Sequence, residues 1–251
     1  MSINRDIEDY TENYLNSDFE TIQVAYRKLE LKKWINKYKH HSILEIGCGI
    51  DPFFTELDFN DYQYYCIVEP SKIFVNKVKS NIEKSNTKIE IINSFLEQCD
   101  IAALKKKKFD FIILSSLLHE VEKPIELLKQ LKNVADNNTI IHINVPNVNS
   151  FHRLLALESG LIKDTKEKSM LNIGLQQNTN FDRNLLHKMV SELNLKIMDT
   201  GSYFIKPFTH KQMYSILNEG IINKNILDGL NNMTKYMPEL GSEIFVNVKL
   251  K

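Results

Sequence analysis

The chain of 251 residues has no surplus of either charge: Lys and Arg total 32, Asp and Glu total 32, and the formal net charge is zero. A general nucleic-acid binder is expected to carry a basic excess, so that class is set aside. Cysteine is scarce. The three thiols, Cys48, Cys66 and Cys99, lie in or beside apolar stretches with neither metal-ligand nor disulfide-framework spacing. They read as small apolar fillers in a reducing compartment, and no metal is expected. No run of about 18 apolar residues occurs, and Met1-Ser-Ile-Asn-Arg-Asp6 lacks a signal-peptide pattern. The expectation is a cytoplasmic protein with no membrane insertion. Internal repeats and low-complexity tracts are missing too, and the length suits one substantial α/β domain over 1–251.

What the chain does have is a glycine turn in an informative place. Ser42-Ile-Leu-Glu-Ile-Gly-Cys-Gly-Ile-Asp-Pro52 reads as a short apolar strand, a Gly-x-Gly turn and a helix start. Asp51 is expected as the N-cap and Pro52 as the first helical residue. Glycines allow positive φ and let backbone N–H groups approach a ligand where a Cβ would collide. Such a unit holds a small ligand at the carboxyl end of a parallel sheet. Missing residues narrow the choice of ligand. A dinucleotide fingerprint needs a third glycine where Pro52 stands, and a P-loop needs a Gly-Lys-Ser/Thr that does not follow. Two acids remain: Glu45 before the glycines, and Glu69 closing Tyr65-Cys-Ile-Val-Glu-Pro70. An acid at the second place can accept both hydroxyls of a ribose. Glu45 can orient the turn or meet a ligand ammonium through water.

That combination resembles the class I S-adenosylmethionine-dependent methyltransferases, over roughly residues 35–250. Glu45-Ile-Gly-Cys-Gly49 is similar to the family's Glu-x-Gly-x-Gly motif, which lies against the methionine part of the cofactor. Glu69, followed by Pro70, matches the acid that holds the ribose. Ile91-Ile-Asn-Ser-Phe-Leu96 stands where the family lines the adenine pocket. Phe109-Asp-Phe-Ile-Ile-Leu-Ser-Ser-Leu-Leu-His-Glu-Val121 is similar to the fourth-strand motif, whose end faces the transferred methyl. Two residues depart from the pattern: Asp51 replaces a common glycine, and Ser94 stands where an acid usually meets the adenine amine. The resemblance implies S-adenosyl-L-methionine as cofactor and S-adenosyl-L-homocysteine as product. It implies cofactor contacts from Glu45, Gly47, Cys48, Gly49, Glu69, Pro70, Ser94, Phe95, Ser115 and Ser116.

Hydrophobic periodicity fits a doubly wound, mostly parallel, seven-stranded α/β sheet of Rossmann-like form with an antiparallel C-terminal strand. Strands are expected near 42–46, 63–68, 88–92, 109–114, 139–145, 196–205 and 242–249. Helices are expected over 17–38, 52–57, 71–85, 97–105, 123–135 and 182–193, the last with Asp182 as N-cap. The 146–180 stretch shows no clear periodicity throughout, and 210–236 reads as a helical insertion. Residues 1–40 form an N-terminal helical cover, 41–145 a cofactor-binding half and 146–251 a substrate-side half.

An oxygen nucleophile usually needs its proton removed, and histidine suits that task at neutral pH. His119 follows the fourth strand and His152 lies in the loop after the fifth, in Val145-Pro-Asn-Val-Asn-Ser-Phe-His-Arg153. His119 with Glu120 also reads as a cap on the fourth-strand loop. His152 beside Arg153 can act as base and anion clamp, or stand as an exposed polar loop. His142, set among Ile140, Ile141, Ile143 and Val145, reads as a hydrogen-bonded sheet histidine. Asn147, Arg153, Lys206 and Tyr14 are the substrate-side candidates. Tyr10 and Tyr14 could close over a substrate or simply pack a helix on the core. The segments Gly201–Phe208 and Met237–Ile244 resemble methyltransferases of surface-polysaccharide and nucleotide-sugar pathways, and Lys206 with Arg153 could then hold a phosphorylated sugar. Lys105–Lys108 is a solvated loop. The expected activity is methyl transfer to a hydroxyl of a small molecule, an anionic sugar being the candidate acceptor. Methylation of a small amine, of RNA or protein, and a non-catalytic cofactor-binding subunit stay open, as does a homodimer.

Overall fold

A computed structural model describes residues 6–15, 19–58, 62–82, 89–168 and 170–251. Seven strands form one sheet: β1 (Ser42–Ile46), β2 (Tyr64–Val68), β3 (Ile89–Ile92), β4 (Phe111–Ser115), β5 (Ile140–Pro146), β6 (Leu195–Tyr203) and β7 (Glu243–Leu250). Their spatial order is β3-β2-β1-β4-β5-β7-β6. The pairs β1–β2, β1–β4, β2–β3 and β4–β5 are parallel, while β7 runs antiparallel to both β5 and β6. The direction of winding reverses between β1 and β4. A crevice opens there at the carboxyl ends of the strands, which is where open α/β sheets bind ligands.

Each central strand is apolar on both faces because helices cover both. Successive residues point to opposite sides of the sheet, so Leu44 and Ile46 enter one core while Ile43 enters the other. The first core takes in Leu127, Leu128 and Leu131 of α5 (Pro124–Val134) and Leu186 and Val190 of α8 (Arg183–Glu192). The second takes in Leu31 and Ile35 of α2 (Glu20–Ile35), Val78 of α3 (Lys72–Ile82), and Phe53 and Phe54 from the turn after β1. A third cluster, at the β7–β6 end, packs Phe19 and Tyr26 against Phe204, Met213, Leu227 and Phe245. It fastens α9 (His210–Asn218) and α10 (Lys224–Asn232) to α2.

Several expected boundaries move. The 17–38 helix is α2 alone, preceded by α1 (Ile7–Leu15). The stretch 146–180 holds α6 (Phe151–Glu158) and α7 (Met170–Gly174), both too short for a clear period. Expected helix 97–105 is a 3-10 turn, Leu96–Gln98, and α4 (Ile101–Lys106), capped by Asp100. Asp182 caps α8, its side chain accepting from Leu185 N–H at 2.8 Å. The helix expected over 52–57 is only a 3-10 turn, Phe53–Glu56, and Pro52 lies outside it with extended backbone. Asp51 is not its cap. That carboxylate pairs with Lys28 Nζ at 2.7 Å, and the N–H of Phe53 is taken by Glu45 instead, at 3.0 and 3.1 Å. The three thiols are free, and among the described residues no helix is long and apolar enough to cross a membrane.

Candidate active site

A cavity of ≈ 700 Å³ lies over the carboxyl ends of β1, β2, β4 and β5, roofed by α1 and α2. Its first half is built by the turn after β1. Gly47 and Gly49 adopt φ of +70° and +60°, a region that costs other residues roughly 1–2 kcal/mol. Space at Gly47 is short as well: a Cβ there would lie 3.0 Å from Leu117 Cδ2. Glu69 sits at the end of β2, buried, accepting from Ser71 N–H at 2.8 Å and Gly49 N–H at 3.3 Å. Those bonds fix the carboxylate against the glycine turn. Asn93 ties down the Glu69 and Pro70 carbonyls at 2.8 and 2.9 Å. Glu45 is also buried. It accepts from Tyr65 OH at 2.8 Å as well as from Phe53, and burial pushes its carboxyl up to about 7 despite those bonds. It braces the turn from beneath.

The second half is a charged network that no motif announced. Glu243, at the start of β7, accepts from Arg27 (Nη2 at 2.6 Å, Nε at 3.0 and 3.1 Å), Gln23 Nε2 at 3.0 Å and Asn144 Nδ2 at 2.6 Å. The Tyr203 hydroxyl donates to it too. Its carboxyl falls to about 2: burial opposes the fall, and the Arg27 charge and these donors overcome it. Glu20 shares Arg27 at 3.1 Å, yet burial, aided by Glu243, raises its carboxyl. Lys206 is buried beside the network and drops to about 8 through desolvation. His152 touches Ser150 Oγ through Nδ1 at 3.1 Å. Burial, then the Lys206 and Arg153 charges, hold its imidazole well below the usual range. It is therefore neutral at pH 7.

Family comparison bears on what this cavity serves. A family described as "Methyltransferase domain" matches residues 22–199 of the chain. The chain belongs to that methyltransferase family. The fold agrees with solved structures of low identity. The plantazolicin methyltransferase BpumL in complex with SAH is 20% identical over 99% of this chain and 91% of that one, with a TM-score of 0.56. A SAM-dependent methyltransferase from Archaeoglobus fulgidus is 16% identical over 88% and 92%, at 0.53. One from Clostridium acetobutylicum ATCC 824 is 10% identical over 98% and 93%, at 0.54. No curated protein matches the chain by sequence.

In this methyltransferase Glu45, Gly47, Cys48, Gly49, Glu69, Pro70, Ser94, Phe95, Ser115 and Ser116 all line the cavity. Ser116 takes a left-handed φ of 52° that turns the chain out of β4. His119, His152, Asn147, Arg153 and Lys206 line it too, but their chemistry differs from the simple expectation. Asn147 spends both amide hydrogens on the Glu239 and Gly241 carbonyls, at 2.9 Å each. It clips a loop and leaves no N–H for a substrate. Arg153 turns to the 165–167 loop, donating to Thr165 O at 2.5 Å and to Glu167 O, so its pairing with Lys206 around a phosphate is not formed. His119 is buried, with Nε2 3.8 Å from Glu120 Oε1, and Glu120 accepts from Tyr10 OH of α1 at 3.1 Å. The Tyr14 side chain lies outside the described residues. His142 is held within the sheet by Asn247 Oδ1 at 2.7 Å, and burial lowers it to about 4.

Arg27, Gln23, Glu20, Asn144, Tyr203, Glu243 and His210 were missed. A signal existed for two of them: Asn144 and Glu243 are polar residues that would otherwise face the core of apolar strands. Nothing in the spacing of residues 20, 23 and 27 points across the chain to residue 243.

Proposed function

We propose that the methyltransferase transfers its methyl group to a hydroxyl of a small molecule, a sugar or nucleotide-sugar/glycan intermediate, held in the second half of the cavity. The observation that carries this reading is the continuity of the cavity. One enclosure joins the Glu69 turn to the His152–Lys206 wall, and its ≈ 700 Å³ suits a cofactor and a small acceptor rather than a polymer.

The residues present fit S-adenosylmethionine. Glu69 would accept the ribose hydroxyls, Ser94 and Phe95 would flank the adenine, and the Gly47–Gly49 turn would receive the methionine end. When bound, the cofactor supplies a methyl group made electrophilic by its sulfonium. Alignment of the acceptor oxygen and exclusion of water then fall to the protein, and can contribute about 7–11 kcal/mol at most. Tyr10 on α1 and Glu120 close one side of the enclosure. His152 Nε2 would take the acceptor's hydroxyl proton, with the ring oriented by the 3.1 Å contact between Nδ1 and Ser150 Oγ. An imidazole held neutral is available as a base, and the Lys206 charge discourages it from keeping the proton.

A second reading, methylation of an amine, is favoured by the same imidazole. A base so weakened suits an acceptor that needs none. A screen of nucleotide sugars, glycans and small amines for S-adenosylhomocysteine release, run with H152A, decides between them. For a hydroxyl acceptor H152A loses about 10²–10⁴ in turnover with cofactor affinity intact. Undiminished turnover on an amine would replace the first reading with the second.

A further inference from the structure

Lys206 is a buried cation that makes no direct ion pair among the described residues; Glu20 and Glu243 act on it only from further away. It is 5% exposed, follows β6 in Ile205-Lys206-Pro207, and lines the cavity. Among the described residues its Nζ makes no hydrogen bond and no ion pair. Desolvating an ammonium without a partner is costly, so such a group calls for an occupant. The acids nearest it are already engaged: Glu243 accepts from Arg27, Gln23, Asn144 and Tyr203, and Glu20 accepts from Arg27. A second polar atom nearby is also unmet. His210, the first residue of α9, leans on the Phe19 ring with centroids 5.7 Å apart, and its Nε2 is buried with no hydrogen-bond partner. Burial first, and then the Lys206 charge, holds both His152 and His210 neutral. The nine-residue α9 turns its N-terminal, positive end toward the same wall.

We propose that Lys206 Nζ and His210 Nε2 form a subsite for one carboxylate of the methyl acceptor. This rests on reading the cavity as a methyl-transfer site, and names the acceptor's recognised group. A phosphate dianion would be repelled by Glu20 and Glu243, both of which act on Lys206. It would also find no guanidinium fork, because Arg153 is turned to the Thr165 and Glu167 carbonyls. The carboxylate lodged at this wall leaves the rest of the acceptor to extend past His152 toward the cofactor half, which fixes the end that is methylated.

The test is an NMR titration of the protein saturated with S-adenosylhomocysteine. The Lys206 ε-methylene resonance, assigned by its loss in K206M, is followed as acetate replaces chloride at constant ionic strength. A saturable shift is expected with acetate and not with chloride. H210F, which keeps the ring against Phe19, should weaken acetate about 10-fold, as loss of a charged hydrogen bond does. No saturable shift, or an equal response in H210F, overturns the subsite. Inorganic phosphate saturating at lower concentration than acetate overturns the choice of carboxylate. If S-adenosylhomocysteine itself does not bind, the methyl-transfer reading fails, and the acetate titration on the free protein still decides the subsite.

Discussion

Replacing Glu243 by Gln isolates the network beneath the acceptor half. In the folded protein that carboxylate is almost fully buried and is stabilised chiefly by Arg27, bringing it from an ordinary 4.5 to about 2. The difference corresponds to about 3 kcal/mol of stability at pH 7. Two structural effects bracket that value. Gln leaves Arg27 buried with only Glu20 as a counter-charge, which adds to the loss. It also relieves the repulsion that raises Glu20, which offsets part of it. Urea unfolding of E243Q at pH 7 should therefore show a loss of about 2–4 kcal/mol. The sign of the pH dependence follows from a folded value below the unfolded one. Stabilisation by Glu243 is complete above about 4.5 and disappears as pH falls through about 2. Near pH 3 the difference between E243Q and the parent should shrink to about half. A loss under about 1 kcal/mol at pH 7, or one as large at pH 3 as at pH 7, refutes the buried ion pair.

Two further predictions concern the cofactor half. Glu69→Ala should weaken S-adenosylhomocysteine by about 1–3 kcal/mol in calorimetry, the cost of losing charged hydrogen bonds; an unchanged affinity removes Glu69 from the site. Gly47→Ala meets both the φ of +70° and the 3.0 Å approach to Leu117. It should cost roughly 1–2 kcal/mol of stability by thermal unfolding and weaken the cofactor as well, and a variant equal to the parent in both would show that the turn relaxes freely.

Some parts of this site were legible in the sequence, and the reason is local. Ser42–Gly49 carries strand, turn and acid in eight consecutive residues, so its geometry is set by neighbours along the chain. The same holds for Glu69 after Tyr64–Val68, and for Asp182 capping α8. Asp51 misled because a good N-cap and a following proline are also what an extended exit from a turn looks like. The Lys28 ammonium draws Asp51 away, and Glu45 reaches Phe53 N–H from beneath. Arg153 misled similarly: adjacency to His152 suggested a clamp, but unsatisfied carbonyls at Thr165 and Glu167 are closer partners. The Arg27–Glu243 network was invisible because its members lie 216 residues apart and meet only when β7 inserts between β5 and β6.

Cofactor binding is the claim on which everything else stands, and calorimetry measures it directly. The purified protein is titrated with S-adenosylmethionine and S-adenosylhomocysteine, with NAD as control. Saturable, stoichiometric binding of the first two and none of NAD is the predicted result. Binding of NAD, or of none of the three, would contradict the assignment of the Gly47–Gly49 turn and Glu69 to this cofactor.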